Sequence, residues 1–196
     1  LTHTDPKALE AAMMAADCAA FAANVETDPG RILTRMKDLG KSPEWHTPLE
    51  RIEQALAEDL AVARFAEVMG FQKGISGYSV HTMTMVLFIW LRHRGDFEAI
   101  IRETIACGGD TDSVAAIAGG IAGAEAAALN EHWLRNLADR PFTVDYMTRL
   151  ASSLAEFTSG CPGKPPSVAS WQIIPRNFIF FLIVILHGFR RLLPPY

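Results

Sequence analysis

The sequence of 196 residues is poor in cysteine, has no excess of basic residues and has no apolar run of membrane-spanning length. Its three cysteines, Cys18, Cys107 and Cys161, are odd in number and scattered. This pattern argues against a disulfide framework and a cysteine metal cluster, and it favours a reducing, cytoplasmic setting. A net charge of −4 argues against a nucleic-acid-binding surface.

One suspicious apolar run occupies residues 178–186, and its nine residues fall short of the roughly 20 that a membrane-spanning helix needs. We therefore expect no membrane span here. The run predicts a buried helix or strand, and an interfacial anchor is the alternative.

Helical patterns dominate the rest of the chain, and no repeat or long linker divides it, so we predict a single all-α domain over residues 1–196. Asp5 and Pro6 are typical of a helix start, whereas Pro29-Gly30 and residues 40–48 are typical of breaks and loops. Residues 70–77 and 158–166 also predict loops. The predicted helices are 7–24, 48–69, 80–92, 97–106, 132–137 and 144–157, with another after the signature loop of residues 108–113.

The segment Gly108-Gly109-Asp110-Thr111-Asp112-Ser113 is the densest group of chemistry-bearing residues. Carboxylate and hydroxyl oxygens are the ligands that hard cations such as Mg²⁺ prefer. The two glycines allow unusual backbone angles and a close approach to a ligand.

The same residues also suit a purely structural role, because Asp112 or Ser113 can cap the small-residue helix that follows. Mg²⁺ requires six near-ideal ligand positions, more than this segment supplies. Residue chemistry alone leaves a helix cap and a metal site equally open.

Residues 108–113, followed by Val-Ala-Ala-Ile-Ala-Gly-Gly-Ile-Ala-Gly-Ala, resemble the C-terminal signature of the ADP-ribosylglycohydrolase family, which includes the dinitrogenase reductase-activating glycohydrolase. Residues 1–8 resemble the family's Thr-His-x-x-Pro segment, and residues 77–82 resemble the stretch that leads into its next long helix. The three matches keep the family's order. Ser113 stands where the family usually has Thr, which preserves the hydroxyl.

The resemblance implies an all-α orthogonal multi-helix bundle and a binuclear Mg²⁺ site, with Mn²⁺ as a possible substitute. Asp110, Asp112 and Ser113 would be metal ligands, and Asp110 and Asp112 would be catalytic. The implied reaction is attack of water on the anomeric carbon of an ADP-ribosylated protein or small molecule. His3, Tyr78, Gly108 and Gly109 would contact the substrate.

The family's N-terminal Thr-Asp-Asp-Thr motif, which supplies about half of the metal ligands, does not occur in this sequence. We therefore expect a family member that lacks its N-terminal part, and its enzymatic activity is an open question. The alternative function is an inactive fragment or a non-catalytic ADP-ribose-binding or scaffold module.

Several other residues favour packing over chemistry. Cys107 is typical of a small buried hydrophobe rather than a nucleophile, and His81, on an apolar helix, is typical of a satisfied core residue. Packing roles are also expected for the tryptophans Trp45, Trp90, Trp133 and Trp171.

Overall fold

A computed structural model describes residues 4–25, 28–125, 129–137, 139–161 and 163–192. Contacts divide the chain into two compact units, Leu1–Leu129 and Asn130–Tyr196. The described residues are helical with no strand, which confirms the all-α prediction. The single domain stays a prediction, and each unit is described separately.

The first unit contains seven α-helices within its described residues, and it holds the hydrophobic core. Its α-helices are α1 (Pro6–Ala23), α2 (Pro29–Leu39), α3 (His46–Ala57), α4 (Val62–Val68), α5 (Ser79–Arg92), α6 (Phe97–Ala106) and α7 (Thr111–Ala124).

Helix α5 is central, as its nearly continuous apolar sequence predicts. Every residue from Thr82 to Leu91 is buried, and the helix packs against α1, α3, α4, α6 and α7. A helix that is apolar all round is buried, either in a protein core or in a membrane. This packing places the N-terminus of α5 beside those of α1 and α7.

The predicted helix over residues 48–69 is wrong in its continuity, because the chain breaks between α3 and α4. Asp59 has a φ of 51°, a left-handed conformation that Asp tolerates better than most residues. The amide of Leu60 then donates to the carbonyl of Ala55 at 2.9 Å. Ile52 before the break and Phe65 after it are buried in the same core. The helical spacing of apolar residues therefore continues across the break and does not reveal it.

Pro29-Gly30 starts a helix rather than a loop. Asp28 accepts a hydrogen bond from the Gly30 amide at 2.9 Å, and Pro29 occupies the first helical turn, where its missing N–H costs nothing. The predicted loop over residues 40–48 is also partly wrong, since a 3₁₀ turn at Pro43–Trp45 leads directly into α3.

The second unit contains α8 (Glu131–Arg135), α9 (Val144–Thr158) and α10 (Ser170–Arg190). None of its described residues is buried. Arg176 of α10 forms a two-bonded ion pair with Asp139, at 2.6 and 2.7 Å.

Residues 178–186 lie within α10, which confirms a helix, but the expected burial is wrong. The helix is 21 residues long and its large apolar side chains are exposed. Trp171 is 68% exposed, so its predicted packing role is also wrong, whereas Trp45 and Trp90 are buried as expected.

Candidate functional site

Two glycine-bearing loops meet directly before helix α7. The amide of Ile75 donates to the carbonyl of Gly108 at 3.0 Å, and the amide of Asp110 donates to the carbonyl of Ile75 at 2.8 Å. These two bonds fix the backbone that carries Asp110.

The glycines permit this contact because the two backbones touch. A Cβ on Gly109 would lie 2.1 Å from the carbonyl oxygen of Ile75, and one on Gly74 would lie 2.5 Å from the amide nitrogen of Gly109. Gly109 also has a φ of 81°, which favours glycine. The unusual backbone angles predicted for Gly108 and Gly109 therefore allow the two loops to contact each other. A contact of these glycines with substrate stays a prediction.

Asp110 is the N-cap residue of α7, whereas the sequence predicted Asp112 or Ser113 in that position. Both of those residues lie in the first helical turn instead. The Asp110 side chain makes no capping hydrogen bond, so its carboxylate is not committed to the helix end.

The carboxyl groups of Asp110 and Asp112 contact each other. A hydrogen bond between the two side chains, together with the backbone amides of Asp112 and Ser113, holds the pKa of Asp112 below its usual range. Asp110 also lies against Gly77, where a Cβ would meet its Oδ2 at 2.8 Å. A larger residue at position 77 would displace this carboxylate.

A cleft of about 640 Å³ opens beside these residues. Asp110 and Ser113 form one side, and Tyr78 and Asp5 contribute polar groups from α5 and α1. Small residues on α1 leave the space that the cleft occupies. These residues are Ala8, Ala11, Ala12 and Ala15.

The structure brings together Tyr78, Asp110 and Ser113 of the predicted site. Asp112 contacts Asp110 without lining the cleft, and Gly108 and Gly109 lie behind it in the loop junction. His3 lies outside the described residues. Tyr78 is 37% exposed, so its ring is accessible to a ligand.

His81 lies beside Tyr78 at the edge of the cleft. It is half-buried, whereas the sequence predicted a core residue. Its Nδ1 lies 2.8 Å from the Ser76 hydroxyl, and its ring meets that of Tyr78 edge-on at 5.0 Å. Burial lowers the pKa of His81, which favours the neutral ring at physiological pH.

Sequence reasoning missed Asp5 and Gly77 as site residues. Asp5 does cap α1 as predicted, since it accepts from the Lys7 amide at 3.0 Å, but it also lines the cleft. Its capping pattern concealed the second role. Gly77 carried no sequence signal beyond its place in a glycine-bearing loop.

Asp110, Asp112 and Ser113 offer the oxygen ligands that a hard divalent cation prefers. They supply only part of its coordination sphere. Two adjacent carboxylates and a hydroxyl are oxygen ligands that Mg²⁺ or Mn²⁺ accepts. Among the described residues, no group of three or more His, Cys, Asp or Glu side chains could hold a metal ion. Water, substrate or further protein ligands would have to complete the site.

A sequence model of the ADP-ribosylglycohydrolase family matches residues 1–162. The chain belongs to this family. The match includes both sides of the cleft and the whole Asp110–Ser113 turn. The all-α architecture agrees with that family's fold.

A curated relative in Archaeoglobus fulgidus, described as an uncharacterized protein, is 34% identical over 107 residues. The match covers 52% of this chain and 35% of the relative, so the chain spans about a third of the length of this relative. No solved structure gives a significant match.

Cys107, directly before the loop junction, is half-buried. Burial, with a smaller contribution from Glu103, raises the pKa of its thiol to about 11, and burial raises that of Cys18 to about 12. Both thiols are therefore protonated at neutral pH, which is consistent with the packing role expected for Cys107.

Alkylation by iodoacetamide at pH 8 is expected to modify the exposed Cys161 first. Cys18 and Cys107 should react at least about a hundredfold more slowly than a free thiol, because little thiolate exists below pH 10. Peptide mapping by mass spectrometry measures the three rates, and unfolding in guanidinium should equalise them. Rapid labelling of Cys107 in the native protein would contradict this assignment.

Proposed function

We propose that this chain provides the C-terminal side of a metal-dependent glycohydrolase site that binds ADP-ribose. The observation that carries the proposal is the position of Asp110 and Ser113 on one wall of a cleft that Tyr78 also lines. Family membership supports a glycohydrolase-like activity. The expected cytoplasmic location is part of the same proposal.

Asp110, Asp112 and Ser113 would hold the metal. The close carboxylate pair supports this role, because two neighbouring negative charges repel each other unless a cation or a proton lies between them. The N-terminus of α7 adds a positive field that favours negative charge on Asp112, in the first turn of the helix.

The cleft supports a ligand of nucleotide size. Its volume of about 640 Å³ lies within the usual range for small-molecule sites. The exposed Tyr78 ring offers a flat surface for a ribose or a base, and the alanine face of α1 leaves room beside it. Asp5 offers a carboxylate that can accept hydrogen bonds from ribose hydroxyls.

A bound Mg²⁺ or Mn²⁺ would supply polarisation of the ribose oxygens and activation of a water molecule. The protein's contribution is positioning: the Ile75 carbonyl fixes the Asp110 backbone, and Gly77 leaves space for its carboxylate. A water molecule beside these residues would attack the anomeric carbon and break its bond to the modified side chain or small molecule. ADP-ribose keeps the new hydroxyl group, and the leaving group takes the proton from the water. Carboxylates held rigidly beforehand lower the cost of reorganisation in the transition state.

Replacement of Asp112 by asparagine is expected to weaken Mn²⁺ binding more than about tenfold, because it removes a charged ligand, and even outer-shell changes commonly cost that much. Electron paramagnetic resonance of Mn²⁺ measures free and bound metal. Calorimetry should show that Mg²⁺ strengthens ADP-ribose binding to the wild type and much less to D112N.

Asp145→Asn is the matched control, because Asp145 occupies the same place in the first turn of α9 and pairs with Arg149 at 3.0 Å. This variant should bind Mn²⁺ like the wild type. Equal metal affinity in D112N and D145N would overturn the metal assignment. Unchanged ADP-ribose affinity in the Asp110→Ala variant would overturn the cleft assignment.

A second candidate is a non-catalytic ADP-ribose-binding module. The small number of carboxylate ligands among the described residues favours it. This candidate predicts ADP-ribose binding without release of ADP-ribose from an arginine-linked, serine-linked or nucleic-acid-linked substrate. Chromatography of the reaction products with Mg²⁺ present distinguishes the two.

A further inference from the structure

Helix α10 exposes apolar side chains on a scale unlike the rest of the described chain. Of the 21 residues in Ser170–Arg190, the nine of the 178–186 run are all exposed, by 40% to 67%. By length and composition alone it is the one described helix that could cross a membrane, and none of its apolar window is buried.

Basic residues of the helix share one side of it, and a continuous apolar stripe lies opposite them. At about 100° per residue, Arg176, His187 and Arg190 lie within about 60° of one another around the axis. The opposite face carries a continuous series at helical spacing: Trp171, Ile174, Phe178, Phe181, Ile185 and Phe189, all exposed.

The part of the sequence that contains this helix differs in charge from the rest of the chain. Residues 1–156 contain all 22 acidic residues and 14 basic ones, whereas residues 157–196 contain four basic residues and no acidic one. A basic, apolar segment attached to an acidic protein is typical of interaction with an anionic surface.

The middle of the helix points to lipid rather than a protein groove. Phe180 and Ile183 lie on the same side as Arg176 and Arg190, and they are as exposed as the residues opposite. A protein groove covers one face of an amphipathic helix. Hydrocarbon chains can surround this apolar middle section while the basic residues at its ends reach the headgroups.

We propose that α10 is a membrane-binding helix that inserts into the surface of an anionic lipid bilayer. The Trp171–Phe189 face contacts acyl chains, and Arg190 and Arg191 contact lipid phosphates, while Arg176 stays paired with Asp139. This binding is independent of the glycohydrolase site.

Flotation of the 196-residue protein with vesicles tests the proposal. Protein should float with equimolar phosphatidylcholine and phosphatidylglycerol vesicles, float less with phosphatidylcholine alone, and detach from the anionic vesicles as salt rises. The double change R190Q/R191Q should weaken binding to anionic vesicles about 25-fold, at about fivefold for each charge, and leave binding to phosphatidylcholine unchanged.

Phe181→Glu should abolish flotation, since it places a charge in the centre of the apolar face. Leu154→Glu is the matched control: Leu154 of α9 is 62% exposed, close to the 57% of Phe181, and the change introduces the same charge. L154E should float like the wild type. The proposal is overturned if the wild type sediments as an aggregate and leaves the vesicles bare, or if F181E floats as well as L154E.

Discussion

Gly109→Ala is expected to destabilise the first unit by about 3 kcal/mol or more, and to disrupt the candidate site at the same time. The new Cβ would lie 2.1 Å from the carbonyl oxygen of Ile75 and 2.4 Å from its amide nitrogen. Both are backbone atoms, so no side-chain rotation relieves the collision. The φ of 81° at this position adds about 1 kcal/mol of strain for any residue with a Cβ.

The physical consequence is separation of the two loops. The hydrogen bond from the Asp110 amide to Ile75 would be lost, and with it the position of the Asp110 carboxylate in the cleft. Urea unfolding followed by circular dichroism measures the free energy of unfolding, and Mn²⁺ binding measures the site. Both should fall together in G109A.

Gly120→Ala is the matched control, because Gly120 lies within α7 and a Cβ there meets nothing within 4 Å. The higher helix propensity of alanine should stabilise this variant by about 1 kcal/mol. A G109A protein as stable as wild type would show that the junction of the two loops is not needed for the fold.

Glu125→Ala is expected to lower the free energy of unfolding by about 3 kcal/mol, the usual cost of breaking a largely buried ion pair. Glu125 ends α7 and its side chain is only 9% exposed. It accepts hydrogen bonds from Trp90 Nε1 at 3.0 Å, Arg94 Nε at 2.7 Å and the Gly95 amide at 2.8 Å.

This network joins the C-terminal ends of α5 and α7. The Arg94 guanidinium also lies 4.8 Å from the centre of the Trp90 ring, so the cation stacks on the aromatic whose N–H binds the same carboxylate. Removing the carboxylate leaves the Trp90 N–H buried without that acceptor and breaks the ion pair with Arg94. Glu125→Gln should cost less, because it retains acceptor oxygen.

Glu67→Ala is the control for loss of a surface carboxylate, since Glu67 and Arg64 form an exposed pair at 2.6 Å. It should change stability by less than about 1 kcal/mol. Thermal and urea unfolding compare the free energies of unfolding of the three variants. Equal losses in E125A and E67A would contradict the proposed role of the network.

The local sequence pattern predicted most helices because their start and stop signals are local. Residues 97–106 match α6 at both ends: Gly95 precedes it, and Asp96 caps it by accepting from the Ala99 amide at 2.9 Å. The same reasoning failed at Asp59, because a left-handed break between two helices does not interrupt the apolar spacing. It failed at Pro29 because a proline that starts a helix resembles one that ends it.

The features of the candidate site also divide into those that local sequence encodes and those that depend on tertiary contacts. The oxygen-rich turn at residues 110–113, its resemblance to a known family and the apolar character of α5 follow from the sequence alone, because residue type and spacing encode them. The contact of Gly109 with Ile75, the second role of Asp5 and the Glu125 network depend on residues that are 30 or more positions apart or on different helices. The exposure of α10 likewise depends on what packs against it, and hydropathy alone does not distinguish an apolar helix that is buried from one that is exposed.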